Sequence, residues 1–172
     1  MGTSIVEIFI KYAIEKFKDK VIHLKDVYFL KPITTPPNTM PLLRLHAIKE
    51  DKGVKLELVT AKITVDSDKW DVVAIGHLEF EKPTDHELFN VQESINNLNG
   101  KKSSEQMFTI LLDDGKEVLK YSDRWANLNW KYRNGNDYII EQEIDDKYIN
   151  DFDYFNLHPA MLDTAVANLF RD

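Results

Sequence analysis

Apolar residues dominate positions 4–18. Ile5, Val6, Ile8, Phe9, Ile10, Tyr12, Ala13, Ile14 and Phe17 leave Glu7, Lys11, Glu15 and Lys18 as a narrow polar stripe. That stripe has helical spacing, so the pattern predicts a helix, and a helix with so little polar surface must be wrapped on most sides. Ser4 and Glu7 stand at the spacing of a capping box, which puts the helix start at Ser4. The period then changes to two. Alternation over residues 42–48, 54–63 and 70–80 predicts strands, with turns at Lys52-Gly53 and Asp66-Ser67-Asp68. In the last strand Trp70, Val72, Ala74, Gly76, Leu78 and Phe80 fall on one face, and Val73, Ile75 and His77 on the other. Pro32, Pro36, Pro37 and Pro41 mark an irregular connection ahead of these strands, because proline cannot donate to a ladder.

Polar, Asn-rich sequence over 83–104 interrupts the pattern and predicts a linker, with room for a short helix near 88–98. Strand patterns resume over 106–112, 126–132 and 137–144, with turns at Asp113-Asp114-Gly115 and Asn134-Gly135. Near its end the chain reads Leu157-His158-Pro159-Ala160-Met161-Leu162-Asp163, followed by an apolar run to Phe170. Pro159 suits the first turn of a helix, where its missing N–H has no partner to lose. Thr164, Asn168 and Arg171 form the polar stripe of that helix, whereas Asp163 falls on the face of Ala160, Val166, Ala167 and Phe170. A carboxylate on a packed face costs free energy unless it is hydrogen-bonded, paired or protonated, so Asp163 is the leading candidate for chemistry. The organisation expected is an α+β chain: helix then strands over 1–82, a linker over 83–104, and strands then helix over 105–172.

Composition narrows the classes. With 172 residues, 43% hydrophobic and 11% aromatic, the chain can bury a sizeable core and is not a disordered segment. Its 22 Lys and Arg are dispersed among 29 Asp and Glu, for a net charge of −7, and no basic stripe points to nucleic acid. The absence of cysteine removes disulfides, thiolate chemistry and Cys-ligated zinc, and is compatible with a reducing cytoplasm. No apolar run approaches the ~20 residues of a membrane span. Histidine and acidic residues lack the spacing of a metal site, and no glycine-rich phosphate loop occurs, so neither metal nor nucleotide cofactor is expected. His77 reads as a packed or edge residue, and His23, His46 and His86 as surface or turn residues.

The words around Asp163 resemble the LHPALLD signature of the dehydratase domains of modular polyketide synthases, which are double-hotdog folds. Other segments follow in the order that family uses. Gly2-Thr3-Ser4-Ile5-Val6-Glu7 is similar to the end of its HxxxGxxxxPGTxxLE segment, and Val27-Tyr28-Phe29-Leu30-Lys31-Pro32 to its V-x-F-L-x-P strand. Gly76-His77-Leu78 is similar to its RG-x-(L/V) strand end, and Arg124-Trp125 to the GPRW variant of its tyrosine motif. The resemblance implies an antiparallel hotdog sheet wrapped around the first helix, and elimination of water from a 3-hydroxyacyl chain carried on the phosphopantetheine arm of an acyl carrier protein. Asp163 would be the general acid, and an apolar setting favours the protonated carboxyl that the role requires. Tyr121, Arg124, Trp125 and His158 would adjoin the substrate. Gly2 and Thr3, at a helix N-terminus, would contribute backbone donors for the thioester oxygen.

This sequence departs from the family in three ways. The family's catalytic His precedes the position of Met1, so it is expected outside this chain. Ala167 stands where the family has Gln or His, and Ser122-Asp123 replaces Gly-Pro. A polypeptide cut at both ends from a larger dehydratase is therefore expected, with neighbouring synthase domains as partners and self-association into a homodimer through exposed strand edges. The alternatives are a double-bond-shifting or ring-closing relative of the same fold, and a structural or acyl-chain-binding domain.

Overall fold

A computed structural model describes residues 2–18, 21–34, 38, 40–61, 70–81, 89–98, 109–111, 117–120, 123–135 and 137–169. The turns expected at Asp66-Ser67-Asp68 and Asp113-Asp114-Gly115 lie outside them, as do Tyr121 and His86. The chain divides into two compact units, Met1–Asp85 and His86–Asp172.

The first unit opens with helix α1, Gly2–Lys16, followed by strands β1 (Val21–Phe29), β2 (Leu43–Glu50), β3 (Gly53–Ala61) and β4 (Trp70–Glu81). All neighbours in the sheet are antiparallel, in the order β1-β4-β3-β2. β2, β3 and β4 thus form a meander, and β1 closes its far side. The apolar stripe of α1 forms the core with this sheet. Ile5, Phe9 and Ala13, at helical spacing, cluster with Leu56, Leu58, Val73, Ala74 and Leu78. Gly76 makes the close approach possible, since a Cβ there would stand 2.9 Å from the Phe9 ring and 3.2 Å from Leu24. On the opposite sheet face charges alternate in sign, with Lys25 paired to Glu79 at 2.5 Å, Lys55 to Glu57 at 2.7 Å and His77 Nδ1 to Glu50 at 3.1 Å. Such solvent-accessible pairs contribute little each to stability.

Four details differ from the sequence pattern. Helix α1 begins at Gly2, so Ser4 lies inside its first turn and the Ser4–Glu7 capping box does not form. Glu7 is buried with the core stripe, although its spacing matches the polar one. Ile14 is 46% exposed, because among the described residues the sheet covers one side of the helix. In β4 the alternation breaks. Leu58 pairs with Ala74 but Val59 with Val72, so Val73 is an extra residue, a β-bulge that turns Val73 toward the core and Val72 and Trp70 to the other face. There Arg44 stacks over the Trp70 ring at 4.0 Å. A second bulge lies in β1 between Lys25 and Tyr28, where Asp26 takes a left-handed φ of 50°.

The second unit contains helix α2 (Val91–Asn97), a ladder of β5 (Thr109–Leu111) with β6 (Glu117–Lys120), a hairpin of β7 (Leu128–Asn134) with β8 (Asp137–Gln142), and helix α3 (Pro159–Leu169). The Asn90 side chain accepts from Glu93 N at 3.1 Å and caps α2. Asn134 pairs with Asp137, so the hairpin turn lies one residue later than Asn134-Gly135, with Gly135 at φ 58° as its first loop residue. Two 3-10 segments that periodicity does not predict, Asp123–Trp125 and Asp146–Asp153, complete the unit.

Because Phe9 is fully buried against backbone and fixed aliphatic groups, Phe9→Ala is expected to lower the unfolding free energy by about 3–5 kcal/mol. Ile14→Ala should change it by no more than about 0.5 kcal/mol. Urea denaturation of both variants checks the contrast, and comparable losses would mean that α1 is buried on two sides.

Candidate active site

α3 begins as its sequence dictates. Pro159 takes the first helical position, and the His158 carbonyl accepts from Leu162 N at 3.0 Å. The helix does not present the stripe that spacing suggests: Thr164 is completely buried, and Val166 is exposed. The reason is local. The Thr164 hydroxyl lies 2.9 Å from the Ala160 carbonyl and 3.3 Å from the Trp125 carbonyl, so its polarity is satisfied inside the unit. Asp163, its neighbour in sequence, is half-buried, and its Oδ2 accepts from the indole Nε1–H of Trp125 at 3.2 Å.

Trp125 ends the 3-10 turn Asp123–Trp125, which opens with Asp123 in a left-handed conformation at φ 52°. Arg124 in that turn makes a two-pronged contact with Asp151: Nε donates to Oδ2 and Nη2 donates to Oδ1 at 3.2 Å. The guanidinium also lies 4.2 Å from the centre of the Tyr148 ring, whose hydroxyl donates to Asp123 at 3.2 Å. His158 is buried, with Nε2 at 3.4 Å from Asp151 Oδ2 and its ring 5.5 and 5.3 Å from the rings of Phe152 and Phe155. Its other ring nitrogen, Nδ1, is buried with no hydrogen-bond partner among the described residues. Two amides finish the frame: Gln142 Nε2 donates to Met161 O and to Asn127 Oδ1, both at 2.8 Å, and Asn127 Nδ2 donates to Arg124 O at 2.8 Å.

Of the residues singled out from sequence, the structure brings Asp163 and Trp125 into direct contact and joins Arg124 to His158 through Asp151. Gly2 and Thr3 belong to the first unit. Gly2 packs against the Phe29 ring and Thr3 is buried. Sequence reasoning missed Asp151, Gln142, Asn127 and the buried part played by Thr164, since no spacing marks a side chain whose role is to hold another loop. A groove of about 330 Å³ lined by residues 126–129 and 143–146 is mostly polar and does not include Asp163.

No family model and no curated protein sequence matches this chain. Its fold is that of polyketide synthase dehydratase domains, an α+β hotdog architecture with antiparallel sheets. Among solved structures it is similar to the dehydratase domain from the CurF module of the curacin polyketide synthase. That match has 16% identity and a TM-score of 0.72, over 95% of this chain and 58% of the other. An N-terminal dehydratase from the difficidin assembly line gives 16% identity and a TM-score of 0.71, over 98% and 59%. A trans-acyltransferase polyketide synthase enoyl-isomerase gives 12% and 0.68, over 96% and 60%. The chain therefore spans about three fifths of the length of these solved domains.

The Arg124 hydrogen bonds, reinforced by His158, hold the Asp151 carboxyl below the usual carboxylate range. A lowered folded-state value stabilises the fold above the ordinary carboxylate pKa of about 4, and the stabilisation is lost as pH falls through the lowered value. Asp151→Asn is thus expected to melt below the parent at pH 7 and to converge with it at strongly acidic pH, followed by circular dichroism. A gap independent of pH would remove the charge from the explanation.

Proposed function

We propose that this protein takes part in the elimination of water from a 3-hydroxyacyl thioester carried by an acyl carrier protein, as a dehydratase domain of a polyketide synthase, with Asp163 as general acid. One observation carries the reading. A half-withdrawn carboxyl in the words Leu157-His158-Pro159-Ala160-Met161-Leu162-Asp163 coincides, in one chain, with the fold of solved dehydratase domains. In the CurK dehydratase, which shares that fold, an Asp-to-Asn variant and a His-to-Phe variant are both inactive.

The chemistry asks for two proton movements. A base removes the proton on the carbon beside the thioester, the C–H electrons form the new double bond, and the β C–O bond breaks. A protonated Asp163 delivers its proton to the departing hydroxyl, so that water leaves and the carboxylate remains; the proton held by the base restores it. We assign the acid alone to this chain and place the base outside its 172 residues, so the chain by itself is expected to be inactive.

A second reading has its own support, because an enoyl-isomerase shares the fold. Moving a double bond along an acyl chain also needs a proton taken from one carbon and returned to another, and a carboxyl paired with a base can do both.

A 3-hydroxyacyl-pantetheine thioester and a β,γ-enoyl thioester, each offered to this chain and to a longer version that spans the solved domains, test both readings by mass and ultraviolet absorbance. The expected outcome is loss of water in the longer version, abolished by Asp163→Asn while circular dichroism is unchanged. Conversion of the enoyl substrate alone would favour the isomerase, and full dehydration by Asp163→Asn would remove Asp163 from the mechanism.

A further inference from the structure

Two carboxamides run from the turn Asp123–Trp125 to helix α3. Asn127 Nδ2 donates to the Arg124 carbonyl, Gln142 Nε2 donates to Asn127 Oδ1, and the same Gln142 nitrogen donates to the Met161 carbonyl, each at 2.8 Å. Both ends of the run are backbone carbonyls, which only accept. Each amide must therefore turn its NH2 toward them, and the direction of the whole run is fixed. Its roots are fixed as well. Gln142 pairs with Leu128 across the hairpin, and Glu143 N donates to the Asn127 carbonyl at 2.8 Å. Asn127 is 2% exposed, so a broken link there leaves a buried amide short of a partner. On α3, Met161 stands one turn before Thr164, whose hydroxyl lies 3.3 Å from the Trp125 carbonyl. One piece of turn thus holds the helix at two levels, and Asp163 lies between them in sequence.

We infer that Asn127 and Gln142 are positioning residues for α3: they carry the setting of the turn to the Met161 carbonyl, fix the rotation of the helix, and so fix the direction in which it presents Asp163. This inference rests on the reading of Asp163 as the acid. It concerns the backbone that carries the carboxyl rather than the partners of the carboxyl itself. A helix tied at one level can turn about that tie, and a displacement of about 1 Å at a reacting group can cost on the order of a hundredfold in rate. Amides suit the task because they are neutral, and so add no charge that would bias a nearby carboxyl toward its ionised form.

Because the run has a direction, reversing one group in it is the test. Gln142→Glu keeps the shape and sets a carboxylate against Asn127 Oδ1 and Met161 O; only when protonated can the new group donate to one of them. In the longer, active version of the protein, this variant is expected to lower kcat by about tenfold or more in neutral buffer, with KM within about twofold. Its kcat relative to the parent is expected to rise as pH falls and the new carboxyl gains its proton. A role in stability alone would lower the amount of folded enzyme and leave kcat per folded molecule at the parent value. A ratio near one at every pH, beside an inactive Asp163→Asn, overturns the positioning role and leaves the acid standing. A loss that acid does not lessen overturns the directed run, and an active Asp163→Asn overturns the reading beneath it. On the present chain, with no substitution, the Gln142 NH2 protons are expected to exchange with water more slowly than those of an exposed glutamine and to show nuclear Overhauser contacts to α3. Free exchange without such contacts overturns the proposal whether or not the Gln142→Glu enzyme folds.

Discussion

A carboxylate drawn partly out of water has to be given donors, and the second unit of this protein is organised by meeting that requirement twice. Asp151 takes a guanidinium in two-pronged fashion and the buried ring of His158. Asp163 takes an indole N–H. The donors sit side by side in the turn Asp123–Trp125, and the acceptors come from the 3-10 segment and from α3, so satisfying the two carboxylates brings three pieces of backbone together. The amides of Asn127 and Gln142 extend the same logic to β7 and β8. Polar networks of this kind specify one arrangement because a half-made version leaves buried groups unpaired.

The first unit is held by other means. Its centre is apolar, and its specificity is steric: Phe9 fits over Gly76, and the sheet surface meets one stripe of α1. Gly53 gives a second instance, since a Cβ there would stand 1.9 Å from the Leu78 carbonyl oxygen, so β3 can begin beside β4 only with hydrogen at that position. The difference matters for chemistry. Among the described residues of the first unit the one buried carboxyl is Glu7, whereas the unit built from hydrogen bonds presents a half-buried carboxyl that accepts from Trp125.

How much of this the sequence reveals depends on whether the determinant is periodic. The helices α1 and α3, the meander β2 to β4 and the hairpin of β7 with β8 are written in periods of 3.6 and 2, and Asp163 stood out because it broke a period. The bulge at Val73 is invisible to the same reading, since a perfect alternation of letters from Trp70 to Phe80 conceals an extra residue defined by pairing with β3. Thr164 and Glu7 mislead for a related reason. Spacing places them with polar residues, but burial follows from whether a partner awaits, and for Thr164 the partners are carbonyls of Ala160 and of a turn distant in sequence. Asp151, with no motif around it, became legible only through Arg124 and His158.

The two bulges that flank β4 deserve a mechanical reading. On one side β1 carries its surplus residue at the left-handed Asp26; on the other β4 carries its own at Val73, whose carbonyl receives Leu30 N at 2.8 Å and Lys31 N at 3.3 Å. A strand of uniform pleat can slide by two residues and keep every side chain on its proper face. β1 cannot, because such a slide would carry the kink at Asp26 away from Gly76 and strip both donors from Val73. The sheet is therefore keyed like a ratchet. An edge strand that would otherwise be free to creep is fixed at one setting, and with it the height at which Phe29 meets the start of α1.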